Sequence, residues 1–265
     1  MRLKRKAFGF IVFLLITLII VISSNIYIGN TRVDSIEIQI AYPKSDTLIN
    51  NKYIKGLVDS KYPKLKGEKR RDIELDEIEE YLSKEPYIED VDVFITYRGK
   101  IKINILQVEP IVRIFAENSK QYYIDKHGKL IPYRNNYVSD VVIANGKINI
   151  GKKLLDKNFV DTIDIPNKAK EEIIVSKLYY LASKLYYDTI LTYQIDQIYI
   201  QNQNEFELYP KIGDYKIEIG NLENLDTKFT KLKYLYKEAF TRIGWDNYSK
   251  INLNYRDQVI CTKKN

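Results

Sequence analysis

The sequence predicts an α+β protein: an N-terminal transmembrane helix, a first folded domain of order β-α-α-β-β, and a mixed β-domain with flanking helices. Three observations carry this. Residues 7–29 hold no charge and are mostly apolar; Val91, Val93 and Ile95 alternate with Asp90, Asp92 and Thr96, and a second alternation runs through Ile101, Ile103 and Ile105; and Ile174, Leu178, Leu181 and Leu185 recur at helical spacing. The implied division of the chain is a basic tail over 1–6, the transmembrane helix over 7–29, domains over 30–109 and 110–262, and a C-terminal tail over 263–265.

Residues Ala7 to Ile22 read AFGFIVFLLITLIIVI, and SSNIYIG extends the uncharged stretch to Gly29, enough to cross roughly 30 Å of hydrocarbon as a helix. Arg2, Lys4, Arg5 and Lys6 precede it and only Arg32 closely follows, so the charge bias puts the N-terminus in the cytoplasm and everything from about Asn30 outside. A cleaved signal peptide is the competing reading. It is disfavoured because Asn25, Ile26 and Tyr27 stand where a cleavage site wants small residues.

The formal charge of +7 does not mark a nucleic-acid binder. Without those four N-terminal residues, 38 basic side chains face 35 acidic ones, a nearly balanced surface with no basic stripe. The densest basic run, Lys64, Lys66, Lys69, Arg70 and Arg71, reads as a solvated loop, with anionic lipid or cell-wall polymer as the functional alternative. One cysteine, Cys261, excludes an internal disulfide; its alternating context suggests a buried thiol. The 23 tyrosines beside one tryptophan follow from codon bias more simply than from a binding surface.

In the first domain Ile36, Ile38 and Ile40 outline a strand with one buried face. Asn50 and Asn51 offer an N-cap for a helix presenting Ile54, Leu57 and Val58 that Pro63 closes. A second helix sets Leu75, Ile78 and Leu82 on one face, with acidic residues toward its N-terminus and Pro86 at its end. The hairpin follows, its first strand running to Tyr97, its turn at Arg98-Gly99-Lys100 and its second strand through Ile105.

In the second domain Ile111 to Ala116 and Tyr122 to Ile124 read as strands, with a turn over Lys126, His127 and Gly128. A helix from about Ala169 to Tyr187 leads to paired strands at about Tyr193 to Gln201 and Glu205 to Tyr209. The turn at Gly213-Asp214 opens a strand through Tyr215, Ile217 and Ile219. A further helix carries Phe229, Leu232, Tyr236, Ala239, Phe240 and Ile243, and Gly244 stands where a left-handed cap is usual. Continuous alternation through SKINLNYRDQVICT would bury Ile251, Leu253, Tyr255, Val259 and Cys261 on one face of a last strand, with a bulge or turn available at Asp257-Gln258.

The phrase EEYLSKEPYIEDVDVFITYRGKIKINILQVEP, closing on Glu109-Pro110, resembles a POTRA domain. The segment behind it, with an Arg-bearing strand and the spacing Tyr122, Asp125, Gly128, resembles the β-domain of the FtsQ/DivIB family of bacterial cell-division proteins, as does YKIEIGN, whose strand ends in a glycine, Gly220. The family's Asp-Leu-Arg-Tyr phrase is replaced here by one with Asn252 and Asn254, and Arg256 lies close enough to supply the missing cation.

The resemblance implies a non-enzymatic scaffold of the division complex at the septum, in the inner membrane, linking early and late division proteins. Its implied partners are bitopic proteins of the FtsB/DivIC and FtsL type at a C-terminal strand. Upstream division proteins would meet the POTRA module, on exposed elements from Ile54 to Arg71. The partner-binding candidates are Tyr255, Arg256, Gln258, Val259, Ile260, Cys261 and Thr262: a chain-terminal strand offers a sheet edge whose free N–H and C=O groups accept another strand. An edge without a partner, protected by Lys263 and Lys264, is the plain alternative. Neither a cofactor nor a metal ion is expected, since His127, the one histidine, reads as a solvated turn residue. The runner-up function is a POTRA-type chaperone or secretion component, disfavoured by the single copy of the module and the missing membrane barrel.

Overall fold

The computed structural model describes residues 2–43, 47–135, 139–162 and 170–264; side chains at 2–9, 11, 25, 26, 28, 170, 171 and 243 lie outside the described set. The chain divides into two compact units, Met1–Val108 and Glu109–Asn265.

The first unit opens with α1 (Arg2–Asn30), a helix of 29 residues. Counted over the described residues alone, no helix is long and apolar enough to cross a membrane. The description of α1 is broken at 11, 25, 26 and 28, and its apolar side chains from Val12 to Ile22 lie largely exposed, Ile19 and Ile20 each at 61%. Strands β1 (Ser35–Ala41), β2 (Ile88–Ile95) and β3 (Lys100–Gln107) form a sheet of order β1-β3-β2, β1 parallel and β2 antiparallel to β3.

Helices α2 (Asn51–Lys61) and α3 (Leu75–Ser83) bury Ile54, Val58, Ile78 and Leu82. Asn50 caps α2 as expected, its side chain accepting from Tyr53 N at 2.9 Å. The buried Gln107 side chain accepts from Leu48 N and Ile49 N at 2.6 and 3.0 Å, which pins the chain entering α2. Two expectations need correction. Ile36, Ile38 and Ile40 are only half-buried in β1, and Tyr97 leaves the hairpin to stand 71% exposed in its turn.

In the second unit nine strands form one sheet: β4 (Pro110–Phe115), β5 (Gln121–Asp125), β6 (Leu130–Pro132), β7 (Val142–Gly146), β8 (Ile195–Asn202), β9 (Glu205–Pro210), β10 (Lys216–Gly220), β11 (Tyr248–Asn252) and β12 (Ile260–Lys263). Their order is β12-β11-β10-β9-β8-β7-β4-β5-β6. Helices α4 (Lys152–Lys157), α5 (Lys170–Tyr187), α6 (Leu191–Gln194), α7 (Leu225–Leu235) and α8 (Thr241–Ile243) accompany it, a π-helical turn at Tyr236–Phe240 joining α7 to α8.

The periodicity of α5 is realised: Ile174, Leu178, Leu181 and Leu185 are all buried in one core with Ile198, Leu208, Ile217 and Ile251 of the sheet and Phe229 and Leu232 of α7. Ala169, where that helix was expected to begin, and the Ile243 side chain lie outside the described residues. Tyr193 belongs to α6, so the strand behind it starts later, at Ile195. Gly244 has φ 83° but ψ 165°, a positive-φ stop that is extended and not left-handed helical.

The largest correction concerns the C-terminus. The expected last strand is two antiparallel strands, β11 and β12, separated by residues 253–259. The break has a local cause and a tertiary one. Asn252 Oδ1 accepts from Asn254 N at 2.9 Å, an Asx turn that bends the chain. Lys231 Nζ of α7 then donates to the carbonyls of Leu253 and Tyr255 at 3.3 and 2.6 Å. Leu253 stays buried, whereas Tyr255 is 47% exposed.

Candidate functional site

The nine-stranded sheet has two edges, and among the described residues only the one at β12 is uncovered. At the β6 end the strand has three residues and carries Pro132, which has no N–H to offer. Its flank is occupied: Lys129 bridges to Phe159, and Leu130 N donates to Asn158 O at 3.3 Å. Leu130 and Ile131 are fully buried.

At the other end β12 pairs with β11 in the register Lys250↔Thr262, Ile251↔Cys261 and Asn252↔Ile260, with a bulge between Tyr248 and Lys250. Lys264 N donates to Asn247 O at 3.1 Å. Alternation along the strand therefore turns the backbone groups of Cys261 and Lys263 away from β11, where another strand can accept and donate. Ile260 is 40% exposed, Thr262 and Lys263 are exposed, and Cys261 is half-buried rather than buried.

The platform beneath this edge is built by α7 and the aromatic turn behind it. Lys228 is buried, and its Nζ donates to the carbonyls of Ile219 and Asn221, both at 2.8 Å. Burial pushes its pKa down, while the two carbonyls satisfy the ammonium. Lys231 holds 253–255 as described. Together the two lysines clamp the ends of β10 and β11 to one helix. Phe240, Tyr215, Tyr236, Trp245 and Tyr248 pack ring against ring behind β10 and β11 with centroids 5.1 to 5.8 Å apart.

On the opposite face of the sheet a polar ladder braces β9, β10 and β11. Buried Glu207 accepts from Lys216 Nζ (2.7 Å), Gln201 Nε2 (2.8 Å) and Tyr209 OH (3.0 Å). Glu218 accepts from Asn252 Nδ2 at 3.0 Å and pairs with Lys216 and Lys250. Burial raises the Glu207 pKa, but the bonds from Lys216 and Tyr209 and the Lys216 charge outweigh it and hold the carboxyl below the usual range.

A depressed native pKa means the unfolded state binds the proton more readily, so this contribution is complete above the ordinary glutamate value and is lost as pH falls through the native one. Denaturant titrations at falling pH are expected to show the second unit weakening below about pH 4.3. In Glu207→Gln that part of the slope should be missing; an unchanged profile would refute the assignment.

The candidate residues divide. Ile260, Cys261 and Thr262 lie in the edge strand and Val259 leads into it, while Tyr255, Arg256 and Gln258 stand exposed in the connecting loop. Tyr255 and Arg256 border a groove of about 540 Å³ with Thr227, Lys231 and Asn254. Lys263, expected in the tail, ends the strand. Lys228 and Lys231 were not expected here. Lys228 shares the helical register of Leu225 and Leu232, a lysine on an apolar stripe, and that is the signal that marks it. His127 is exposed in its turn, its backbone N–H donating to Asp125 Oδ1 at 2.9 Å. Among the described residues no group of three or more His, Cys, Asp or Glu side chains could hold a metal ion.

Comparison with known families matches residues 109–262 to FtsQ/DivIB, C-terminal related, which is more than half of the chain. This chain belongs to the FtsQ/DivIB family. Residues 31–106 match a POTRA-like domain, and both domains are of the non-catalytic scaffold type. No curated protein matches the chain. In this FtsQ/DivIB protein the matched C-terminal segment contains the whole nine-stranded sheet as far as Thr262 of β12.

Proposed function

We propose that this protein is a membrane-anchored scaffold of the bacterial division complex, and that its second unit accepts a strand from bitopic partners of the FtsB/DivIC and FtsL type along β12. The observation carrying the reading is the asymmetry of the sheet: β6 is short, proline-bearing and covered, whereas β12 ends the sheet with outward backbone groups. Strand addition draws affinity from main-chain hydrogen bonds and register from neighbouring side chains. Ile260 and Thr262 would supply register on one face, and Tyr255 and Arg256 from the loop.

The anchor is residues 7–29, with the N-terminus in the cytoplasm and both units outside, at the septum. What supports it is the uncharged sequence of that segment and a 29-residue helix, which at 1.5 Å per residue is about 43 Å long. The POTRA-like unit contributes to recruitment by upstream division proteins.

The test is binding of residues 30–265 to the matching FtsB/DivIC and FtsL extracytoplasmic segments. Deleting 259–265 is expected to abolish binding while the rest stays folded. Lys263→Pro, which removes one outward N–H, is expected to weaken it about tenfold, the scale of one hydrogen bond and a misfit ring. Equal binding by all three forms would overturn the β12 interface. No binding by the parent would overturn the division assignment and favour a chaperone role.

A further inference from the structure

The basic run from Lys64 to Arg71 is not the loose loop its composition suggests. Gly67 N donates to Val33 O and Val33 N to Glu68 O, both at 2.9 Å; Arg70 N donates to Thr31 O at 2.9 Å. Arg32 bridges to Lys69, and its guanidinium donates to Gly67 O at 2.6 Å. Leu65 and Val33 are buried in the same seam. A side chain at Gly29, within α1, would meet the Cβ of Arg71 at 3.7 Å. The run is therefore folded back onto the residues that leave α1, with no free linker between them.

Its charge is largely uncommitted. Five basic side chains stand beside two acidic ones, Glu68 and Asp72. Arg71 pairs with its neighbour Asp72 at 3.4 Å, and among the described residues Lys64, Lys66 and Lys69 form no ion pair. Lys64, Lys66 and Arg71 are exposed. Tyr27, near the end of α1, is 76% exposed, and tyrosine is a side chain suited to a membrane interface.

We infer that residues 64–71, with Arg32, form a basic collar that binds the anionic phosphate headgroups of the bilayer around the outer end of α1. This rests on the anchor proposed above. If α1 ends at the bilayer surface, hydrogen bonds to Thr31 and Val33 hold the collar within the roughly 10 Å over which lysines feel a charged membrane. Residues 64–71 are more than thirty residues from the span in sequence, outside the stretch whose charge sets orientation, yet beside it in the fold. It fixes the first unit's height and tilt on the membrane and makes its placement depend on lipid composition.

The test uses the full chain in nanodiscs of phosphatidylcholine alone and of phosphatidylcholine with about one-third phosphatidylglycerol. Lysine labelling by a water-soluble amine reagent is read residue by residue. Labelling of Lys64, Lys66 and Lys69 is expected to fall about threefold with the anionic lipid and to recover in high salt, while exposed Lys84, Lys153 and Lys237 stay unchanged. A chain that inserts but labels equally in both bilayers overturns the collar and leaves the anchor standing; a chain that does not enter nanodiscs overturns both. Equal suppression at all six lysines refutes a local site. Protection by inorganic phosphate over phosphatidylcholine alone would mark a free-phosphate site and overturn the lipid assignment.

Discussion

Replacing Gly128 with alanine is expected to lower the stability of the second unit by about 2 to 5 kcal/mol, adding a left-handed backbone penalty of about 1–2 to an overpacking cost of about 1–3. Gly128 has φ +92°, and a Cβ there would stand 2.1 Å from the carbonyl oxygen of Val160. The approach is close because Val160 N donates to Gly128 O at 2.7 Å, tying 158–160 over the β6 edge. The turn is held from within by buried Asp125, whose Oδ1 accepts from His127 N and Lys129 N at 2.9 and 2.7 Å. Burial pushes that carboxyl's pKa up, against the two backbone bonds. Thermal unfolding is expected to drop by about 10 °C for a unit of this size. A variant as stable as the parent would show that the cover over β6 can move aside freely.

Phe240→Ala is expected to cost a similar amount, about 3–5 kcal/mol, the usual range for emptying a buried phenylalanine site. Phe240 is 1% exposed and is the ring shared by Tyr215, Tyr236, Trp245 and Tyr248. Burial pushes the Tyr215 hydroxyl up to about 12 and raises Tyr236 further, so the cluster remains uncharged at physiological pH. Trp245 is the protein's one tryptophan, and its emission reports directly: Phe240→Ala should shift it to the red and broaden unfolding. Because Tyr248 lies in β11, the same variant should weaken partner binding at β12 although it touches no edge residue. An unshifted Trp245 spectrum with full stability would refute the cluster's role.

What the sequence made legible depends on how far the deciding contact lies along the chain. The β2–β3 hairpin and the buried stripe of α5 are written in periods of 2 and 3.6, and both stand where the pattern puts them. The Asn50 cap needs only a neighbour three residues away. The split between β11 and β12 defeats periodicity, since Ile251, Leu253 and Tyr255 keep perfect alternation while the Asn252–Asn254 turn and Lys231 of another element together set the bend. The candidate site shares that fate: Ile260 to Thr262 were readable as a terminal strand, whereas the place of β12 at the end of the sheet depends on the order in which nine strands pair, which nothing local to residues 255–262 encodes. The pinning of 64–71 is likewise invisible in composition, which registers charge and not the bonds to 31–33.

The position of β7 bears on how the second unit assembles. Strands β4 to β6 form one run of antiparallel neighbours and β8 to β10 another, each closable by contacts near in sequence. The two runs meet only through five-residue β7, parallel to β4 on one side and to β8 on the other. Parallel pairings close long loops before they yield any contact energy, and they form slowly. The sheet thus has two fast antiparallel runs and two late parallel joins, one at β7 and one where β11 returns beside β10, so the β11–β12 pair takes its place in the sheet only after the chain through α7 has closed.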